Sequence, residues 1–288
     1  MATTVQSAVT ATTTKTEFVE AANGISLAYR RLGDAATAQP PLVLLQHFRG
    51  NLDNWDPLLI DDLAAQREVV AVDNAGVGSS TGVTPPSVTA MARDAIAFFD
   101  ALDIDQIDVL GYSLGGMVAQ ELALLRPQMV RRLILAGTGP RGGGEGMHGW
   151  ITDIRMAATM PQPGLEENLR IFFAPTETSR QRGREFIERV ARREERDDAN
   201  GPEVVTAQYD AIVEWGIPDP SKLARLRGIS QATLVANGDN DMMIPTANSH
   251  ILGHHLPNAR VRIYPDAGHG FLFQWPREFA ALVNEFLA

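Results

Sequence analysis

Ser113 has glycine two positions away on either side, in Gly111-Tyr112-Ser113-Leu114-Gly115. It stands between the apolar run Ile107-Asp108-Val109-Leu110 and the apolar-periodic segment from Met117 to Leu125. A serine at such a strand-to-helix turn is held in a tight, strained backbone with its hydroxyl exposed above the sheet edge, an arrangement called a nucleophile elbow. A hydroxyl is a weak nucleophile until a base takes its proton, and an imidazole base needs a carboxylate to fix its tautomer and stabilise its cation. Six histidines are available: His47, His148, His250, His254, His255 and His269. His269 fits best, because it follows the strand-like run Arg260 to Tyr264 and lies in Asp266-Ala267-Gly268-His269-Gly270. A loop of such small residues lets an imidazole swing over the sheet edge. For the carboxylate, the loop after the buried strand-like run Ala232 to Ala236 offers Asp239 and Asp241. Asp239 is expected to bond nearby backbone N–H groups, as aspartates in turns do.

Addition of a serine to a carbonyl makes an oxyanion that needs two backbone N–H donors. The residue after the nucleophile, Leu114, supplies one of them. The other is expected from the loop after an earlier strand, Pro41 to Leu45, where Gln46-His47-Phe48-Arg49-Gly50 makes the Phe48 N–H the candidate.

These residues resemble the α/β-hydrolase superfamily, in its capped esterase, lactonase and C–C hydrolase branch. The resemblance runs from about residue 17 to the C-terminus. It includes the family's Asp-x-Arg-Gly-x-Gly-x-Ser loop as Asp73-Asn74-Ala75-Gly76-Val77-Gly78-Ser79-Ser80, with Ala75 in place of the arginine. The family's chain order of serine, acid, histidine and the spacing of its acid loop select Asp241 over Asp239. The segment after Leu133-Ile134-Leu135-Ala136, where some relatives carry the acid, has no carboxylate. One departure is larger: where the family has His-Gly-Phe-x-Gly, Gln46 replaces the loop-bracing histidine and His47 a glycine. The resemblance therefore implies a cofactor-free, metal-free serine hydrolase of the triad Ser113, Asp241 and His269. It cleaves a small, largely apolar carboxylic ester or lactone, with Phe48 and Leu114 as the oxyanion hole. His47, Trp150, Met242 and Phe271 are the expected substrate contacts. Family resemblance also allows C–C bond hydrolysis or perhydrolysis, for which Arg49 is the nearby cation able to grip a carboxylate. A receptor-like protein with little turnover is the reading from another class.

The elements needed to position these groups alternate along the chain: strand 69 to 72, helix 91 to 102, strand 107 to 110, helix 114 to 126 and strand 132 to 136. After an insertion come strand 232 to 236, a helix near 246 to 255, strand 260 to 264 and a closing helix from 277 to 286. Such alternation argues a mostly parallel twisted sheet with helices on both faces, the α/β-hydrolase fold by resemblance. The core is expected over 17–140 and 229–288, and a helical lid over 141–228, inserted before the strand that bears the acid. Trp150, Phe172, Phe173, Tyr209 and Trp215 supply the lid's large apolar surface. Its stretch 180 to 198 holds seven arginines and six acidic residues, which reads as a solvated, salt-bridged helix.

A chain of 288 residues is long enough for one full core with an insertion. A net charge of −10 without a basic tract argues against a nucleic-acid partner. Zero cysteines exclude a disulfide framework, thiolate-ligated zinc and a thiol nucleophile. Residues 1–16, rich in Ala and Thr, read as a disordered tail without the basic and apolar regions of a signal peptide. No run approaches the 18 or so apolar residues of a membrane span. A cytoplasmic protein with a small-molecule substrate and no membrane partner is expected. Two competing signals fail: Gly76-Val77-Gly78 has Thr81 where a dinucleotide fingerprint needs its third glycine, and His250 and His254 lack the glutamate of a zinc-protease helix.

Overall fold

The computed structural model describes residues 9–36, 39–144, 146–197 and 199–288. In chain order its elements begin with β1 (Glu17–Glu20), β2 (Ser26–Leu32), β3 (Leu42–Leu45), α1 (Pro57–Ala64), β4 (Val69–Val72) and α2 (Val88–Ala101). Next come β5 (Ile107–Tyr112), α3 (Leu114–Leu125) and β6 (Val130–Ala136). Five helices follow: α4 (Thr152–Thr159), α5 (Leu165–Phe172), α6 (Glu177–Val190), α7 (Pro202–Trp215) and α8 (Pro220–Ala224). The chain closes with β7 (Ala232–Gly238), α9 (Ala247–His255), β8 (Ala259–Tyr264), α10 (Phe271–Gln274) and α11 (Pro276–Leu287).

One eight-stranded sheet runs β1-β2-β4-β3-β5-β6-β7-β8, and from β4 onward every neighbouring pair is parallel. The central strands are apolar on both faces, as Val43, Leu44, Val109 and Leu110 show, each fully buried. Helices cover both faces, which is why these strands read as continuous apolar runs rather than alternating ones. The expected alternation of strands and helices is present, with boundaries shifted by up to about three residues.

β1, β2 and α1 went unread in the sequence. β1 is an exposed edge of four residues paired antiparallel with β2. β2 carries Arg30, whose guanidinium is buried against Asp53 at 2.7 Å; a paired inner charge breaks the apolar run that marks a strand. Within 9–16, part of the expected disordered tail, Ala11 N–H donates to Asp61 at 2.7 Å and Thr14 is buried, while Val9 is exposed. The rest of that tail lies outside the described residues. Among the described residues, no helix is long and apolar enough to cross a membrane.

Helices α4 to α8 lie between β6 and β7, and the arginine-rich part of this segment is not a simple solvated face. Exposed pairs such as Arg182–Glu185 lie outward on α6. Arg189 turns inward to the fully buried Asp56 and the Phe273 carbonyl. Phe186 stacks on Phe273 at 4.2 Å between ring centroids. Asp56 also caps α1 by accepting from Leu58 N–H, so one carboxylate joins the insertion to the core helix beneath it.

Candidate active site

All the chemistry-bearing loops leave the C-terminal ends of strands, the end at which open α/β sheets bind ligands. β5 ends at Tyr112, and Ser113 follows with φ of 56° and ψ of −116° before α3 begins. This left-handed backbone is strained for a residue with a side chain. Two glycines make the turn possible. A Cβ on Gly115 would stand 2.0 Å from the Leu45 carbonyl oxygen, and one on Gly111 would stand 2.4 Å from the Gly115 oxygen. The helix can therefore approach the sheet closely enough to raise the serine above it.

β7 leads into the acid loop. Asp241 is buried, and its Oδ1 accepts from the N–H groups of Met243 and Ile244 at 2.8 and 2.9 Å. Its Oδ2 lies 2.7 Å from His269 Nδ1. Asp239 does what a turn aspartate does: it accepts from the N–H groups of Asp266 and Ala267, tying the acid loop to the histidine loop. His269 is held by further contacts. The Tyr112 hydroxyl donates to its carbonyl at 3.0 Å, and the Phe172 ring stacks over the imidazole. Burial holds the Tyr112 phenol well above its ordinary range, with the Asp241 charge adding to the shift. It stays a neutral donor. His269 Nε2 is buried and has no hydrogen-bond partner among the described residues. Ser113 and His269 line the same cavity of about 410 Å³.

At the end of β3 the departure from the family pattern acquires a structural role. The Gln46 side chain accepts from His47 N–H at 2.9 Å and donates to the Asn51 carbonyl at 3.3 Å, so it braces the loop. His47 is buried, its Nδ1 lies 2.7 Å from the Phe48 carbonyl oxygen, and its ring packs edge-on against Tyr112 and Phe172. Burial lowers its pKa to about 3, and the neighbouring His269 and Arg49 push the same way. His47 is a neutral wall of the cavity at any moderate pH. Leu114 opens α3, where helix geometry leaves the first N–H groups free of intrahelical partners.

Arg49 is engaged differently from the expectation. Its guanidinium donates to the carbonyls of Ala158, Met160 and Pro161 at 2.9, 2.5 and 2.9 Å. Its N–H donates to Gln208 Oε1 and its carbonyl accepts from Asn200 Nδ2, both at 2.7 Å. Nη1 and Nη2 are thus engaged on the helical insertion, while Arg49 also lines the cavity.

Of the other expected contacts, only His47 lines the cavity. Trp150 stands one layer back, edge-on to Phe48 at 5.2 Å. Met242 points outward and is 49% exposed; its neighbour Met243 lines the cavity instead. Phe271 is fully buried beneath the site against Tyr264 and Phe279. Sequence reasoning also missed the polar wall formed by Asn51, Asn54, Asn168, Asn200, Arg196 and Asp197. No local signal marks these residues, because asparagine and charge in loops read equally as turn chemistry. The loop Asp73–Ser80 lies next to this wall, where Gly78 N–H donates to Asn200 and the Ser79 hydroxyl to Asp197. Burial raises the Asp73 carboxyl well above the carboxylate range, helped by the charge of Asp197.

The fold and this loop arrangement define a class, and comparison with known proteins identifies it. The family model for the alpha/beta hydrolase fold matches residues 40–276, so the chain belongs to that family. A solved alpha/beta hydrolase fold protein from Chitinophaga pinensis superposes with a TM-score of 0.90 at 39% identity, covering 97% of this chain and 99% of that one. The poly(3-hydroxyalkanoate) depolymerase of Ectopseudomonas oleovorans is 31% identical, over 86% of this chain and 84% of its own. The 2-hydroxymuconate semialdehyde hydrolase of Pseudomonas sp. (strain CF600) is 30% identical, over 82% of this chain and 81% of its own.

Proposed function

We propose that this hydrolase cleaves a small carboxylic ester or lactone through an acyl-enzyme on Ser113. The observation that carries the reading is the Asp241–His269 pair at 2.7 Å, which leaves a buried, unpartnered Nε2 on the cavity that Ser113 also lines. Asp241 fixes the tautomer with the proton on Nδ1, so Nε2 is the basic atom. Ser113 Oγ adds to the carbonyl carbon while Nε2 takes its proton, and the oxyanion is held by the N–H groups of Leu114 and Phe48. Collapse expels the alkoxide, which takes the proton from His269. A water molecule then repeats the addition with Nε2 as its base, releasing the acid and restoring the serine. The helical insertion serves as the lid, with Phe172 closing over His269.

The cavity amends the expected substrate. Phe48, Phe172, Ile171 and Met243 offer an apolar wall, but the opposing asparagines and Arg196 suit a group that hydrogen-bonds. An amphipathic ester fits better than a largely apolar one. The C–C hydrolase reading is less favoured, because the Arg49 guanidinium it would use is already engaged through Nη1 and Nη2 with carbonyls of the insertion.

The test is turnover of short-chain p-nitrophenyl esters and aliphatic lactones by wild type and Ser113→Ala. Loss of a triad nucleophile costs on the order of 10⁴- to 10⁶-fold in kcat. A fall of that size is expected, and equal ester turnover in Ser113→Ala refutes the mechanism.

A further inference from the structure

We infer that the cavity carries a donor-only subsite, formed by Asn51 and Asn54, that takes a second hydrogen-bond-accepting group of the substrate, a carbonyl or carboxylate oxygen remote from the scissile bond. The inference rests on the ester or lactone reading and adds a substrate class to it.

The argument lies in how the two side chains hold each other. Asn51 Oδ1 accepts from the N–H of Asp53 at 3.0 Å, and Asn54 Oδ1 accepts from the N–H of Asn51 at 2.9 Å. The Asn51 carbonyl is taken by Gln46 Nε2. An amide whose oxygen is committed to a backbone N–H cannot flip without setting donor against donor. Both Nδ2 groups are thereby fixed as the remaining polar atoms, and among the described residues neither meets an acceptor. Both asparagines line the cavity, and Asn51 is 94% buried there at 6% exposure. Asn200, on the same wall, is satisfied on both atoms by Gly78 and Arg49. Its orientation is therefore set by those two partners, and the subsite is not built on it. Arg196, also on the wall, adds donors; Asp197 next to it adds a carboxylate whose Oδ1 accepts from the Ser79 hydroxyl, so the donor-only character belongs to the Asn51–Asn54 pair and not to the whole wall.

Two fixed amide donors favour a group with lone pairs and no proton to give. A methylene in that place leaves buried donors unsatisfied, and a site built to hydrogen-bond discriminates strongly against the analogue that lacks the partner. The matching substrate is an ester or lactone carrying a keto, second ester or carboxylate oxygen on its acyl or alcohol arm.

The experiment measures binding to Ser113→Ala, so it does not depend on turnover. Matched pairs differ by one group: methyl esters of 3-, 4- and 5-oxo acids against the parent acids' methyl esters, monomethyl glutarate against methyl hexanoate, and acetates of keto alcohols against those of plain alcohols. At least one keto or carboxylate ligand is expected to bind about tenfold tighter than its twin. Asn54→Asp keeps the oxygen that Asn51 N–H needs and turns the free donor into an acceptor. The preference should then collapse or invert, read as a ratio so that a loss common to both twins cancels. A carboxylate preferred over a ketone assigns Arg196 a share; a ketone preferred assigns the amide pair alone. Ratios below about twofold in every pair of the wild-type framework overturn the subsite. If instead the ratios hold while wild type hydrolyses none of the esters, the subsite stands and the mechanism fails.

Discussion

Replacing Arg49 by methionine removes the guanidinium while keeping an unbranched apolar stem and the backbone bonds to Gln208 and Asn200. Three hydrogen bonds to the insertion disappear, at 2.5 to 2.9 Å, from the carbonyls of Ala158, Met160 and Pro161. A hydrogen bond from a charged group contributes roughly 1.5–3 kcal/mol. The guanidinium is only partly buried, so solvent screening and shared geometry discount the sum to about 2–4 kcal/mol for the set. This energy resides in the docking of α4 and the turn after it rather than in the sheet. Opening of that segment should therefore become about 30- to several-hundred-fold more frequent, on the relation of about 1.4 kcal/mol per tenfold. Amide hydrogen exchange followed by mass spectrometry reads this directly: peptides spanning 152–172 should exchange faster by that factor, with β5 and β6 unchanged. The ester kcat/KM should fall with it, because Arg49 adjoins Phe48, whose N–H is the proposed oxyanion donor. Unchanged exchange over 152–172 would show that the guanidinium does not hold the insertion and would refute the reasoning.

Two further outcomes follow from the same geometry. Gly115→Ala places a Cβ 2.0 Å from the Leu45 oxygen, a backbone clash that no rotamer relieves; the fold should lose about 3 kcal/mol, read as a fall of roughly 6–12 °C in Tm, and a native Tm contradicts the close approach. His47, with a pKa lowered to about 3 by burial, binds its proton in the unfolded chain near pH 6.5 but not in the native one. Its contribution is present above pH 6.5 and is lost as pH falls toward 3, by ~1.4 kcal/mol per unit. Urea unfolding at pH 7.5 and 4.5 should show about 2–3 kcal/mol more acid loss in wild type than in His47→Phe, and parallel losses in the two proteins contradict a buried neutral ring.

The parallel half of the fold was legible because strands buried on both faces must be apolar throughout, as in Leu42–Leu45 and Val69–Val72. The elbow was legible for a related reason: its glycines are demanded by backbone contacts that any sequence must avoid filling. The antiparallel edge was not, since Arg30 in β2 is stabilised by Asp53, a partner 23 residues away. The contact residues failed for a different physical reason. Which neighbour faces a cavity is set by loop direction, so Met243 rather than Met242 reaches it, and Phe271 turns into the core. The opposite fates of Arg182 and Arg189 are decided by a buried carboxylate on another element. Composition alone makes them equivalent.

The central claim is that His269 and Asp241 activate Ser113. Intact mass after brief exposure to a fluorophosphonate, on wild type, Ser113→Ala and His269→Ala, tests it most directly. The account expects one adduct on wild type, mapping to Ser113, absent from Ser113→Ala and formed far more slowly in His269→Ala. Wild type that stays unlabelled, or His269→Ala that labels as fast as wild type, contradicts it.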